Sequence, residues 1–568
     1  MTINKIKKLI LYTIPCFFLM AMSVWYINVD NAPKIFGDEY GYWAAGAHFA
    51  RLDWRELTSL NDYYGWGYGV LLSIILRLPI SFEKCYHIAI GLNGVFLCII
   101  YFIALKFISE ISTEKNEFIN VLIAFTSSIM PSTLYYSRYT LAEAILSVCY
   151  WTLIYLVWKI LTINTSKIYE ILFIVVNAFM LSVHLRTIGI IFFSILFLMY
   201  VHGIQNGIHI KKMISSIVFF FILLVLINII KMEYRNSYAN VLVDMKTGND
   251  ISGQVRKLSF FFSQEGFFSF IKLFLGRFYS TLINSFFFIF VVIVNCIEIA
   301  SSLLKSKKVA NNQLIVLYAI LCTFSEIAIS ALSMIGHSQG RFDILTYSRY
   351  HEFTIGIIIL FGLIMIMKNQ NLKIILNSYF LMLILTIIVS KIQEYATSTS
   401  HVFFNTPFLF YYVINNEYKN LYMLITINLI FINAFFQVII KYNKKIGILC
   451  TCVIMSIYTI LMSNYAYTNG CLKWSVEQEQ ENNKLINFIV ENQYNDRLSF
   501  MVDDDVLKVD QLQFMLREDT IHIMSIEQIK QMENIYILTT VNYDNSGLIE
   551  SGYQVMCKGD QLMLWGTD

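Results

Sequence analysis

Thirteen long apolar segments constrain the fold of this chain more than any other feature of its sequence. A helix of about 20 residues crosses the hydrocarbon core of a bilayer. Segments of about this length lie near 9–27, 86–108, 118–134, 141–160, 169–185, 187–204, 213–230, 279–300, 313–335, 346–367, 374–390, 420–440 and 446–464. Only 14% of the 568 residues are charged, against about 25% in soluble domains. The sequence predicts an all-α polytopic membrane protein with about thirteen transmembrane helices.

The lysines predict the orientation of these spans, because cytoplasmic loops are enriched in lysine and arginine. Lys5, Lys7 and Lys8 place the N-terminus in the cytoplasm, and no A-x-A cleavage motif follows the first apolar segment, so we interpret that segment as a retained span. Thirteen spans then put these lysine-bearing segments on the cytoplasmic side: 109–117, 161–168, 205–212, 301–312, 368–373 and 441–445. We expect a multi-pass protein of the plasma (inner) membrane.

The arginines follow a different pattern from the lysines. In this topology all twelve fall on the external side: Arg51, Arg55, Arg77, Arg138, Arg186, Arg235, Arg256, Arg277, Arg341, Arg349, Arg497 and Arg517. The positive-inside rule does not predict this, so a functional reason is expected. A formal net charge of +3 is too small to indicate nucleic acid as a partner.

The external side also carries the long segments that do not span. A transmembrane domain is predicted over residues 1–464, with a first external loop at 28–85, a second at 231–278 and a third at 391–419. Within the first loop, "YYGWGYGVLLSIILRLP" is apolar but short and interrupted by glycine, which favours a helix in the membrane interface. Residues 465–568 alternate a helical stretch, "NNKLINFIVENQ", with strand-like ones such as "NIYILTTV", which predicts a small extracytoplasmic α/β domain.

Most of the ten cysteines lie in apolar runs and are expected to be small core residues. Cys471 and Cys557 lie in the polar C-terminal region. They could pair there in an oxidising compartment or stay as thiols.

An acidic pair opens the first external loop in "IFGDEYGYWAAG". At this position Asp38 and Glu39 could accept a proton from a substrate hydroxyl or hold a divalent cation such as Mg²⁺ or Mn²⁺, and the neighbouring aromatic rings suit the faces of a sugar. The alternative is a solvated loop whose aromatic residues belong to the interfacial belt.

Charged residues recur in the short external hairpins. "PSTLYYSRYTLAEAIL" contains Arg138 and Glu143, and "SVHLRTIGII" contains Arg186. An arginine in so tight an apolar turn is costly, which favours a protein-lined cavity where it binds an anion. The alternative is an arginine whose charged end reaches the interface.

A third group lies in "GHSQGRFDILTYSRYHEF". Glu352 follows Arg349 by three residues, so both side chains would lie on nearly the same face of a helix, next to Tyr350. The arginine offers a fork for phosphate oxygens and the carboxylate can orient it. An intrahelical ion pair without further function is the alternative. "HEFTIG" lacks the second histidine of a zinc protease motif.

These motifs together resemble the C-type glycosyltransferase (GT-C) superfamily. They are an F-G-D-E-x-x-Y acidic pair, "YYGWGYGVLL" near the end of the first loop, an Arg/Glu hairpin after the third span, and "YSRYHEF" near the tenth. The resemblance is to the group of protein O-mannosyltransferases and the aminoarabinose transferase of lipid A, over residues 1–464.

The resemblance implies a sugar donor linked to a polyprenyl phosphate, an external active site and inversion at the anomeric carbon. Asp38 would be the catalytic base, and Glu39 would assist it or help to hold a divalent cation (Mg or Mn), since only some members depend on a metal. The donor phosphate and sugar would be bound by Arg138, Glu143, Arg186, Arg349, Tyr350 and Glu352. The acceptor would be an extracytoplasmic glycan, lipid or protein.

Two other functions are compatible with the sequence. A transporter or flippase of a lipid-linked glycan would also place arginines in a cavity, although it should show an internal repeat or broken central helices. A glycan polymerase or ligase would use the same donor chemistry with a longer donor.

Overall fold

The structure, a computed structural model, describes most of the chain. The described residues are 3–25, 33–61, 64–112, 114, 116–130, 132–163, 167–205, 209–238, 251–304, 309–336, 341–368, 372–393, 407–415, 421–532 and 535–567. Most of the third predicted loop, 391–419, therefore lies outside the described residues, as does His337.

Helices dominate the chain up to residue 491. The first eleven are α1 (Ile3–Val24), α2 (Gly37–Ala50), α3 (Arg55–Ser59), α4 (Trp66–Leu76), α5 (Phe82–Ile111), α6 (Glu117–Ile129), α7 (Thr133–Tyr136), α8 (Glu143–Thr162), α9 (Lys167–Val183), α10 (Ile188–Tyr200) and α11 (Ile210–Asn236). The next eleven are α12 (Ile251–Phe261), α13 (Gln264–Asn284), α14 (Phe288–Leu304), α15 (Asn311–Ser333), α16 (Asp343–Thr346), α17 (Ile355–Lys368), α18 (Leu372–Ile392), α19 (Pro407–Asn415), α20 (Leu421–Tyr442), α21 (Lys444–Tyr467) and α22 (Lys473–Glu491).

Among the described residues, nine helical segments are long and apolar enough to cross a membrane. Five shorter apolar helices accompany them, including α4, α6 and α17. The outer faces remain uncovered by protein: on α11, Phe221, Val225 and Ile229 are each more than half exposed. Such a surface is stable in lipid but not in water. The prediction of a polytopic all-α membrane protein is confirmed.

One predicted span, 279–300, is wrong. Here the structure has two helices, because α13 ends at Asn284 and α14 begins at Phe288. Between them Phe286 and Phe287 have φ values of 47° and 66°, which break the helix without glycine or proline. Helix α13 begins at Gln264, inside the segment assigned to the second external loop, and it is itself long and apolar enough to span.

The first loop folds into α2, α3 and α4 rather than extending as a coil. Small residues bring α2 and α4 together: a Cβ atom at Gly69 would lie 2.5 Å from the Cβ of Ala45, and one at Gly46 would lie 3.1 Å from the Cβ of Leu72. Close backbone approach of this kind is typical of helices packed in membranes. Helix α4 is 11 residues long, too short to span.

The C-terminal region is a small α/β domain, as predicted. Its five strands are β1 (Leu498–Met501), β2 (His522–Met524), β3 (Tyr536–Thr540), β4 (Gln554–Lys558) and β5 (Leu562–Gly566), with short helices α23 (Asp510–Met515), α24 (Ile526–Ile529) and α25 (Ser546–Glu550). The strand order is β2-β1-β3-β5-β4. Strand β1 pairs in parallel with β2 and β3, whereas β5 is antiparallel to β3 and β4.

This domain rests on the first loop. Arg517 donates through Nη1 to the carbonyl of Ile80 at 3.0 Å, and Trp54 Nε1 donates to the carbonyl of Arg517 at 2.9 Å. Helical structure continues from residue 444 to 491, across the predicted domain boundary at 464/465. Cys471 and Cys557 are free thiols, so the possible disulfide does not form.

Candidate active site

Asp38 lies in the first turn of α2, at the end of the helix bundle that the C-terminal domain covers. Its side chain is 27% exposed, so part of the carboxylate is accessible at the protein surface. Tyr64 donates a hydrogen bond to Oδ1, and Arg349 Nη1 donates to Oδ2 at 2.5 Å. Burial raises the pKa of Asp38, but the charge of Arg349 and these hydrogen bonds outweigh burial and lower it below its usual value. Asp38 is therefore an ionised carboxylate at neutral pH.

A glycine lets Tyr64 reach Asp38. A Cβ atom at Gly41, one turn along α2, would overlap the Tyr64 ring. Only glycine leaves room for an aromatic ring to lie this close to a helix. The sequence "GDEYG" thus supplies both the carboxylate and the space for the residue that orients it.

Glu39 points away from Asp38 and is completely buried. Its Oε1 accepts from the backbone N–H and hydroxyl of Thr140, at 2.6 and 2.8 Å, and from the hydroxyl of Tyr86 at 3.0 Å. Its Oε2 accepts from the N–H of Phe36 at 3.3 Å. Four hydrogen bonds stabilise the buried charge and fix the first turn of α2 against the turn that precedes α8.

Glu143 joins two arginines at the start of α8. Its Oε1 accepts from Arg186 Nη2 at 2.9 Å and from Arg349 Nε at 3.0 Å, and all three side chains are at least 95% buried. Arg349 therefore bridges Glu143 and Asp38. Residues from three separate segments, all predicted to lie on one side of the membrane, meet in one network.

The predicted residue Arg138 contacts the C-terminal part of α21. Its guanidinium donates through Nη2 to Asn464 Oδ1 at 2.6 Å and lies 5.3 Å from the centre of the Tyr467 ring. These contacts attach the turn before α8 to α21.

Tyr350 and Glu352 lie near the arginines but not in the ion-paired network. The Tyr350 ring centre is 5.0 Å from the Arg186 guanidinium. Glu352 Oε1 accepts from Asn284 Nδ2 at 2.5 Å, while Oε2 has no hydrogen-bond partner among the described residues. The prediction that Arg349 and Glu352 share a helix face is wrong, because residues 347–351 do not continue a helix. Arg349 binds carboxylates on α2 and α8.

The sequence reasoning missed one functional candidate, Arg277 on α13. It is 0% exposed, and none of its three guanidinium nitrogens has a hydrogen-bond partner among the described residues. A Cβ atom at Gly276 would overlap the carbonyl oxygen of Leu345, so this glycine brings α13 against the segment that carries Arg349. The sequence carries one signal for it, since Arg277 is among the arginines predicted to be external, but it also predicts that this segment is a loop.

Further buried polar atoms without partners belong to His351 and to Asn284, which lies about two turns after Arg277 on α13. Both ring nitrogens of His351, which is also 0% exposed, and Oδ1 of Asn284 make no hydrogen bond within the described part of the chain. The charge of Arg277 acts on His351 and on Tyr350. Native proteins rarely leave so many buried polar groups unsatisfied, so a polar ligand is expected to bind here.

Asp38 and Glu39 do not fit a divalent cation site. The oxygens of Glu39 are engaged by protein donors, and Asp38 already faces the guanidinium of Arg349. In the described ranges, no group of three or more histidine, cysteine, aspartate or glutamate side chains is arranged to hold a metal ion. Mg²⁺ and Mn²⁺ prefer several oxygen ligands, which this arrangement does not offer.

Comparison with solved structures identifies the fold. No protein-family model matches the chain, and no curated protein matches it significantly. The chain is similar to ArnT from Cupriavidus metallidurans bound to undecaprenyl phosphate, with a TM-score of 0.54 and 9% identity over 98% of both chains. The apo form of ArnT gives a TM-score of 0.52 and 10% identity over 99% of this chain and 98% of ArnT. The chain has the GT-C fold of this lipid A aminoarabinose transferase.

Proposed function

We propose that this integral membrane protein is a glycosyltransferase that moves a sugar from a polyprenyl phosphate to an extracytoplasmic acceptor, with inversion. The observation that carries the proposal is a partly exposed, ionised carboxylate, Asp38, held beside buried arginines in a GT-C fold. The cytoplasmic N-terminus and the extracytoplasmic C-terminal domain form part of this proposal. The undecaprenyl phosphate bound by ArnT supports a donor of the same class.

Arg277 is the best candidate for binding the donor phosphate. The charges of Arg186 and Arg349 are balanced by those of Glu143 and Asp38, whereas no ion pair joins Arg277 to a carboxylate among the described residues. A buried cation without a counter-ion costs free energy that an incoming anion recovers. The phosphate would be that anion, with Arg186 and Tyr350 beside the sugar.

Asp38 would act as the general base. Its carboxylate accepts the proton of the acceptor hydroxyl while that oxygen bonds to the anomeric carbon. The bond from the anomeric carbon to the phosphate oxygen breaks, and its electron pair stays on the phosphate. The guanidinium of Arg277, pre-placed at the phosphate, stabilises the charge that develops there. Glu39 would position the first turn of α2 instead of taking part in the chemistry. The surroundings of Asp38 favour catalysis without a divalent cation, so transfer should persist in EDTA.

A reconstitution experiment tests this function. Protein in liposomes is given polyprenyl phosphates that carry different sugars, and released polyprenyl phosphate and glycosylated products are measured by mass spectrometry. In Asp38→Asn we expect transfer to fall by about 10²–10⁴-fold, the usual contribution of a general base, while undecaprenyl phosphate still binds. Asp503→Asn, at an exposed site on the C-terminal domain, is the matched control.

The same liposomes separate the alternatives. A flippase would move a labelled lipid-linked glycan across the bilayer without releasing the lipid phosphate. A polymerase or ligase would release it but transfer a chain of several sugars. Unchanged transfer in Asp38→Asn would contradict the assignment of the base.

A further inference from the structure

Lys34 is a buried lysine on the short segment that leads into α2, four residues before Asp38. Its side chain is 0% exposed. The ammonium nitrogen Nζ lies 4.7 Å from the ring centre of Tyr467, 5.3 Å from that of Tyr86 and 5.5 Å from that of Tyr139. A buried ammonium is costly, and three tyrosine faces reduce this cost by cation–π attraction. The site is built to hold a cation.

Tyr86 connects this cation to the buried carboxylate of Glu39. The face of its ring contacts Lys34, while its hydroxyl donates to Glu39 Oε1 at 3.0 Å. Donation to a carboxylate makes the ring richer in electrons, which strengthens its attraction for the ammonium. Lys34 and Glu39 are thus opposite buried charges, one on each side of the same tyrosine.

The C-terminal domain fixes the segment that carries Lys34. Gln511 on α23 donates through Nε2 to the carbonyl of Pro33 at 2.5 Å, and Asn482 on α22 donates to Gln511 Oε1 at 2.5 Å. A Cβ atom at Gly37 would lie 2.6 Å from Leu507 Cδ2, so the domain also packs directly against the start of α2.

We propose that Lys34 is a positioning residue for Asp38. As the buried counter-charge of Glu39, its ammonium stabilises the Glu39 carboxylate in its contacts with Thr140. These contacts hold the first turn of α2, and with it Asp38, in place. The inference deepens the proposed function and rests on it for the role of Asp38, but the structural effect on α2 can be measured separately.

The proposal has a pH signature. Burial lowers the pKa of Lys34 to about 8; the charges of Glu39, Cys471 and Glu479 raise it in part, and that of Arg138 lowers it further. The rings of Tyr86, Tyr139 and Tyr467 also face the ammonium. Above about pH 8 Lys34 loses its charge, Glu39 loses its counter-charge, and α2 should loosen.

Hydrogen–deuterium exchange of the peptide that covers α2 tests this directly, with rates corrected for the intrinsic effect of pH. From pH 7 to pH 9, wild-type protein should lose about tenfold protection in α2. Lys34→Arg, whose guanidinium stays charged, should keep its protection at pH 9. Lys34→Met should be poorly protected at both pH values. Lys84→Met, at an exposed lysine at the start of α5, should behave as wild type.

Kinetics give the second measurement. Wild-type kcat should fall above about pH 8, and in Lys34→Arg this fall should begin at higher pH. The kcat of Lys34→Met should be about 10- to 100-fold lower than that of wild type, because small displacements of a catalytic group have effects of this size. The KM for the donor should change less than about 2-fold, since Lys34 does not touch it. Equal α2 protection in all variants at both pH values overturns the role of Lys34. Absence of sugar transfer by wild-type protein, with the exchange pattern intact, overturns the proposed function instead.

Discussion

The ion-paired cluster around Asp38 and the single arginine Arg277 on α13 differ in how their charges are balanced. Around Asp38, two arginines face two carboxylates at 2.5–3.0 Å. On α13, Arg277 has no such partner within the described residues. Balanced ion pairs can hold a geometry without any ligand, whereas an unbalanced buried charge is stabilised only when an anion binds. The comparison separates the residues proposed to orient the base from the residue proposed to bind the leaving group.

The largest effect is expected from Arg277→Met. Affinity for undecaprenyl phosphate should fall by about 10²–10³-fold, because the buried contact of a guanidinium with a phosphate is lost. Without ligand, the variant should be more stable to heat than wild type, since an unpaired buried charge has been removed. Lipid binding by isothermal titration and thermal unfolding in detergent measure the two effects.

Arg256→Met is the matched control, because Arg256 lies on the neighbouring helix α12 and is exposed. It should leave lipid affinity nearly unchanged. If Arg277→Met instead lowered thermal stability and left lipid affinity intact, Arg277 would be a structural residue. It would then not differ in role from the ion-paired cluster around Asp38.

Glu143→Gln should have the opposite effect on stability. Removal of the carboxylate leaves Arg186 and Arg349 as buried charges with a shared neutral partner, and breaking a buried ion pair lowers the free energy of unfolding by about 3–5 kcal/mol. Lipid phosphate should still bind, because Arg277 is unchanged. Transfer should fall by about 10-fold or more, since Arg349 no longer holds Asp38 in one orientation.

Chemical unfolding and single-turnover transfer distinguish these two effects. Glu117→Gln removes a carboxylate whose partner, Lys8, is solvated, so it should unfold like wild type. Loss of lipid binding in Glu143→Gln with unchanged stability would assign the donor phosphate to the Asp38 cluster.

The sequence predicted the membrane architecture well, because length and apolarity alone specify a spanning helix. It also predicted that Asp38, Arg186 and Arg349 lie on one side of the membrane, since the lysines predict the topology. The sequence did not predict which of the site residues touch each other. The contact between Glu39 and Thr140, for example, joins residues 101 positions apart. No local pattern encodes such a pairing.

The helix break at Phe286 and Phe287 is a second feature that the sequence does not predict. The run "NSFFFIFVV" contains neither glycine nor proline, yet two phenylalanines adopt positive φ because packing around them outweighs the local strain. The polar residues of α13 made this segment look like a loop. The sequence therefore does not place Arg277 in the site, although the structure shows that it is fully buried.

The smallest effect is expected from Tyr64→Phe, which removes one of the two donors to Asp38 and keeps Arg349. The folded-state pKa of Asp38 lies below its usual value. Ionised Asp38 therefore stabilises the folded protein above the unfolded-state pKa. This stabilisation is lost as pH falls through the folded-state pKa. In the variant the folded pKa rises, so the acidic limb of the kcat profile should move to higher pH, with kcat at neutral pH only a few-fold lower. Tyr442→Phe, at a residue that is 87% exposed, should keep the wild-type profile. An unchanged acidic limb in Tyr64→Phe would mean that Arg349 alone sets the charge of Asp38, and the balanced cluster would then consist only of its four charged residues.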